Sequence, residues 1–301
     1  MGWRVLYISE GEYMNLYLDN IKIENSGKSK EILIPIKDIH TLILDNYKSV
    51  LTVQLMNYLT KSNVNVVICG IDHIPKSILL PIRGNVQAAS ILKKQISWRK
   101  TEKETAHKEI VKAKIHNQRC LLEFLNKDVQ VIELLKKYEN EVTNGDITNR
   151  EGLAAKVYFR ALFGKTFKRF ESDVVNAGLN YGYSILRSQI SKSIIAKGLN
   201  PSLGLFHRGP NNYFNLSDDL IEPFRPIVDF YVHNKLLKEV LFTKENKIDL
   251  VKNLTKNIYY KNLSQTVFNT IIQYIDSIIS FIETGEVDNV EFHPIIKYEY
   301  L

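Results

Sequence analysis

The sequence predicts an α+β protein, with a small β-rich N-terminal domain at residues 1–88 and a larger all-α C-terminal domain at residues 89–301. Three observations predict it. Apolar residues alternate with a period of two through the first part of the chain and recur at helical spacing from Ala88 onward. At 301 residues and 45% hydrophobic, the chain has enough apolar material for two packed cores. No run approaches the roughly eighteen apolar residues of a membrane-spanning helix.

In the first part, "WRVLYIS", "MNLYLDNIKIE", "KEILIPI", "HTLIL" and "NVNVVIC" are short, β-branched runs broken by the turn signals "GE", "DN" and "NSGKS". One helix interrupts them, "SVLTVQLMNYLTKS", and "SILLPIRGN" reads as a last strand. From Ala88, "AASILKKQISWRKTEKETAHKEIVKAKIHNQRCLLEFL" reads as one long amphipathic helix rich in Lys and Glu. Further helices are expected near 128–142, 149–164, 172–197, 217–242 and 246–284, separated by "TNGD", "FGKT", "KGLNPSLGLFHRGP" and "TKEN".

Forty Lys and Arg against thirty-three Asp and Glu give a net charge of +7, which favours polyanionic partners. The excess is local: residues 145–210 carry ten Lys and Arg against four Asp and Glu. The two cysteines, Cys69 and Cys120, lie far apart with no zinc spacing and no disulfide framework, so they read as free thiols of a reducing compartment. The N-terminus has no cationic region followed by an apolar core, and the protein is expected to be cytoplasmic with no membrane partner. There is no Walker loop, G-x-G-x-x-G or G-x-S-x-G.

The densest chemistry lies in "FHRGPNNYFNLSDDLIEPFRPIVDF", residues 206–230. If Ser217 caps a helix, Asp218 and Asp219 are first-turn charges that suit the helix dipole. Glu222 lies a full turn in, on the face of Asp219. Pro223 and Pro226 would each cost about 3 kcal/mol in a helix interior, so the helix is expected to bend or start late around its carboxylates. His207 sits just upstream in a loop rich in Gly, Pro and Asn; a histidine alone in a loop is commonly a surface residue, and nearby carboxylates are what raise it. Glu151 has its own bland reading, since Thr148-x-x-Glu151 matches a capping box. Taken together, Glu151, His207 and Glu222, with Asp219 as a fourth ligand or the partner of one, form a set of hard oxygens plus one imidazole. That set suits Mg²⁺ or Mn²⁺, ions that work on phosphate esters.

"YFRALFGKTFKRF" mixes Arg160, Lys168 and Arg169 with aromatics, a composition that pairs phosphates and stacks bases. "NAGLNYGYSIL" offers Tyr181 and Tyr183, although its small residues equally mark a close helix crossing. Arg83 and Arg208 are further candidate phosphate contacts. His40, His73, His107, His116, His233 and His293 have no comparable constellation.

Four blocks, "EGLAAKVYF", "NAGLNYGYSIL", "GLNPSLGLFH" and "DDLIEPFRPIVD", share their order and spacing with one family. Over Glu151 to Asp229 the chain resembles the CRISPR-associated spacer-acquisition endonuclease and integrase, the first-numbered Cas protein, whose two-domain architecture extends the resemblance over the whole chain. The resemblance implies metal-dependent phosphodiester chemistry that inserts short foreign DNA fragments into the CRISPR array, with ligands on Glu151, His207 and Glu222. Many members carry Asp where this chain has Glu222, a feature of type II system forms. It also implies homodimers bridged by a dimer of a small companion Cas protein, and contacts with repeat and leader DNA and with other type II Cas proteins. The rival readings are a metal-dependent nuclease that never joins strands and a non-catalytic basic DNA-binding protein.

Overall fold

The computed structural model describes residues 4–25, 31–82, 85–260 and 263–286. It is an α+β protein with two compact units, Met1–Gly84 and Asn85–Leu301. Among the described residues no helix is long and apolar enough to cross a membrane.

Among its described residues the first unit holds two four-stranded sheets and one α-helix. β1 (Arg4–Ile8), β5 (Ile39–Leu44), β7 (Asn65–Cys69) and β8 (Pro75–Leu79) form one sheet in that order, parallel except for β8. β2 (Glu12–Tyr17), β3 (Asn20–Asn25) and β4 (Glu31–Pro35) form an antiparallel meander, and β6 (Val50–Leu51) pairs parallel to β2. "MNLYLDNIKIE" is therefore two strands. They are joined through Leu18 and Asp19, both at positive φ, as a tight hairpin requires. α1 (Val53–Lys61) starts where the Thr52 hydroxyl accepts from the Leu55 N–H. Ile8, Met14, Ile21, Ile36, Leu42 and Leu55 pack the core between these elements. β5 is buried on both faces, which is why "IHTLIL" reads as a continuous apolar run.

Among its described residues the second unit is helical apart from one hairpin. The long helix expected from Ala88 is two: α2 (Ala88–Ile96) and α3 (Lys100–Phe124). Trp98, 8% exposed, sits in the break, because burying its indole fixes a corner that helical periodicity does not reveal. α4 (Val129–Glu141), α5 (Arg150–Phe163) and α6 (Val174–Ala196) follow at the expected places. The stretch expected as one helix over 217–242 divides into α7 (Asn215–Leu220), a single 3-10 turn (Glu222–Phe224) and α8 (Arg225–Lys235). Pro223 and Pro226 stand in the first turns of the latter two, where a missing N–H costs nothing. The expected helix 246–284 also divides, into α9 (Lys244–Asn253), a hairpin of β9 (Asn257–Tyr260) with β10 (Leu263–Thr266), and α10 (Val267–Thr284). The β-branched and aromatic run at Ile258, Tyr259 and Tyr260 overrides the helical pattern there.

α6 is buried almost all round and packs on α7, α8, α9 and α10. Its glycines are contact points, not catalytic features. A Cβ on Gly178 would stand 2.3 Å from Leu236 Cδ1, and one on Gly182 2.5 Å from Val228 Cγ1. α3 packs against α4, α5, α8 and the 3-10 turn, and this brings the candidate site together.

Candidate active site

Glu151 enters from the first turn of α5, but not as a capping residue. Asn149, at φ 50°, is the N-cap, and its side chain accepts from the Gly152 N–H. Asp146 accepts from the N–H groups of Arg150 (2.8 Å) and Glu151 (2.9 Å). With the helix start satisfied from upstream, the Glu151 side chain turns instead to α3 and meets Lys114 at 2.6 Å.

Glu222 enters from the 3-10 turn and meets the same ammonium, with Oε2 2.6 Å from Lys114 Nζ. Its other oxygen accepts from Arg225 Nε at 2.9 Å. A carbonyl of this turn is taken up by α3: the buried Asn117 amide donates to the Pro223 oxygen at 2.8 Å. Burial works against the Glu222 carboxylate, yet Arg225 and Lys114 hold it charged and its pKa low. Desolvation likewise opposes the Lys114 ammonium, and Glu151 and Glu222 overcome it, so its pKa stands above the usual lysine value.

His207 is carried by the loop before α7, and Asp219 holds that loop. Asp219 Oδ2 accepts from the N–H groups of Leu205 (2.6 Å) and Phe206 (3.1 Å); Oδ1 accepts from the His207 N–H (3.1 Å) and from His207 Nδ1 (2.7 Å). The carboxylate is thus engaged by residues 205–207, and Asp219 orients His207. Gly204 makes the closure possible: a Cβ there would lie 2.4 Å from the His207 carbonyl oxygen and 2.8 Å from Asp219 Oδ2. With Nδ1 engaged, Nε2 is the position left for a ligand, the arrangement found at metal-binding histidines. The hydrogen bond to Asp219 raises the imidazole pKa.

No three His, Cys, Asp or Glu side chains among the described residues stand at metal-ligand spacing. The Lys114 ammonium lies between the two glutamates, 2.6 Å from each. In donor chemistry the site nevertheless fits a small hard cation: two carboxylates already converge on one buried positive charge, beside an imidazole with a free Nε2.

The candidate DNA contacts divide. Arg160 is exposed on α5, and Lys168 is exposed and paired with Glu171 at 2.9 Å. Arg169 is half-buried; it donates to Asn176 Oδ1 (3.0 Å) and Asn180 Oδ1 (2.8 Å) and lies over the Tyr183 ring. Arg208 is exposed and shares with His207, Trp98 and Lys103 the lining of a cleft of about 440 Å³. The two tyrosines are interior. Tyr181 is fully buried, edge-on to Phe242, and Tyr183, 7% exposed, donates to Asp229 beneath the Arg225 guanidinium. Asp229 also accepts from Tyr158, and burial pushes its pKa up to about 6. Arg83 and His293 lie outside the described residues.

Sequence reasoning missed Lys114, Arg225 and Asn117. It also passed over His107, buried in α3 and stacked on Phe206 at 3.9 Å, whose pKa is lowered by burial. A signal existed: His107, Lys114 and Asn117 fall among Ile110, Val111 and Leu121 on the inward face of α3. Charged and polar residues on an apolar stripe mark a buried polar cluster.

Residues 6–265 match the family described as CRISPR associated protein Cas1. The CRISPR-associated endonuclease Cas1 of Neisseria meningitidis serogroup C (strain 8013) is 32% identical over 308 residues, covering 100% of both chains. A casposase bound to integration product superposes with a TM-score of 0.75 at 21% identity, over 98% of this chain and 97% of that one. A chain of a Cas6-RT-Cas1–Cas2 complex gives a TM-score of 0.73 at 17% identity, over 98% of this chain and 36% of the other. A match across so much of the sequence, on the fold and blocks described above, places this chain in the Cas1 family.

Proposed function

We propose that the protein is a metal-dependent DNA endonuclease and integrase of CRISPR adaptation, acting in the cytoplasm. The observation that carries this reading is the convergence of Glu151 and Glu222 on one buried point, beside a histidine aimed by Asp219. Glu151, Glu222 and His207 Nε2 would hold Mg²⁺ or Mn²⁺, which supplies Lewis-acid polarisation of a phosphodiester. Arg225 keeps Glu222 ionised and oriented; Asp219 keeps His207 in the tautomer that presents Nε2. The attacking group is the 3′-hydroxyl of the incoming DNA fragment, giving transesterification; water in its place gives strand cutting. Exposed Arg160, Lys168 and Arg208 contact the DNA backbone, a sequence-independent hold that leaves target choice to DNA shape and partners.

The names of the similar proteins support the reading: an endonuclease, a casposase with its integration product, and a Cas1–Cas2 assembly. By the same support the partners are DNA and a small companion Cas protein; that the chain pairs with a second copy as a homodimer, bridged by that companion, is part of the same proposal. The test mixes the protein, with and without the companion, with Mn²⁺, a duplex bearing free 3′-hydroxyls and a supercoiled repeat-containing plasmid. Joined product is expected from the native chain and falls by about 100-fold or more in Glu222→Ala and His207→Ala, as for loss of a group acting in the transition state. Joining that survives both substitutions overturns the site; cutting without joining favours the plain nuclease.

A further inference from the structure

We propose that Lys114 is a resident counter-cation that a divalent ion must displace, and that it thereby sets how tightly the site takes metal. The inference rests on the metal site proposed above. It starts from placement: the ammonium touches both glutamates at 2.6 Å, Lys114 is 9% exposed, and its position on the inward stripe of α3 leaves the head group no route to bulk solvent like that of a surface lysine.

Charge balance gives the consequence. Glu151 and Glu222 carry two negative charges; Lys114 and Arg225 carry two positive ones, and Arg225 is fastened to Glu222 and lies over the Tyr183 ring at 4.4 Å. The cluster is therefore already neutral. A dication entering between the glutamates gains two carboxylates only by pushing out the ammonium that they hold. Removing the lysine charge leaves the cluster at minus one, with its carboxylates repelling each other and open to a cation. Lys114 should thus have opposite effects on the two forms of the protein: it stabilises the metal-free fold and weakens metal uptake.

The experiment reads metal binding and stability, not catalysis. Free Mn²⁺ is followed by electron paramagnetic resonance, and thermal unfolding is recorded with and without Mn²⁺, for the native protein, Lys114→Met, Lys114→Gln and Lys114→Arg. The neutral variants should bind Mn²⁺ about tenfold or more tightly. They should melt roughly 5 °C or more lower without metal and recover most of that loss when it is added. Lys114→Arg, which keeps the charge, should stay within about threefold of the native affinity. Neutral variants that bind no tighter than a native protein that does bind overturn the inference alone. Neutral variants that stay unfolded even with Mn²⁺ do so too, since Lys114 would then be purely structural. Absence of Mn²⁺ binding in the native protein and in every variant overturns both the inference and the proposed metal site.

Discussion

Asp219 shows how a single buried carboxylate can hold a loop in place. Its two oxygens gather three consecutive backbone N–H groups and one imidazole, and it is 1% exposed. Asp219→Ala should cost about 3 kcal/mol, because it orphans buried donors together with the group that satisfied them. Urea unfolding of the metal-free protein would measure this, and because Asp219 aims His207, the stabilisation gained from added Mn²⁺ should shrink as well. Equal metal-free stability of native and Asp219→Ala protein would show that Asp219 does not hold the loop. Glu151 and Asp219 thus exchange the roles that residue spacing suggests. The glutamate with a helix-cap signature reaches into the site, while the aspartate beside Glu222 does the holding.

Among the elements, α6 and α8 are the pair on which the site's far wall depends. They meet where Gly178 and Gly182 leave room for Leu236 and Val228. Gly182→Ala should destabilise by about 1–3 kcal/mol through overpacking, even though alanine is the better helix former. A thermal or urea midpoint unchanged from the native one would show that the helices can part at no cost. The element scale is also where the sequence was most and least legible. Strands, the helix at 53–61, and helices near 129–141, 150–163 and 174–196 could be read because each keeps one period from end to end. The interruption around Glu222 could be read from Pro223 and Pro226. The break at Trp98 and the hairpin at 257–266 could not be placed, because each is decided by what a side chain meets in three dimensions: an indole buried at a corner, a strand partner. For the same reason Glu151, His207 and Glu222 were readable as chemistry, and Lys114 was lost among the many lysines of α3.

At the scale of the whole molecule, charge sets a pH window. His116 of α3 is held up to about 9 by its hydrogen bond with Cys120 and by Glu139, whose Oε1 lies 3.0 Å from Nδ1. A folded-state value above the ordinary 6.5 means that the protonated ring stabilises the fold. That contribution is complete below about pH 6.5 and is lost as pH rises through about 9. The melting temperature should fall across that interval and fall less in His116→Gln; parallel curves for the two proteins would rule the pair out as a source of stability. One feature at Glu222 bears on how this chain tolerates change in length. The carboxylate leaves a 3-10 turn that contains Pro223 and is tied to α3 through Asn117, only three residues after the aspartate that fastens the histidine loop. Inserting a residue between Asp219 and Glu222 would swing the glutamate by about 100°, whereas an insertion at the exposed Pro210 and Asn211, beyond the Gly209 backbone that Asn215 holds, should disturb the anchors least. Natural insertions and deletions should therefore collect in that segment and avoid the three-residue step.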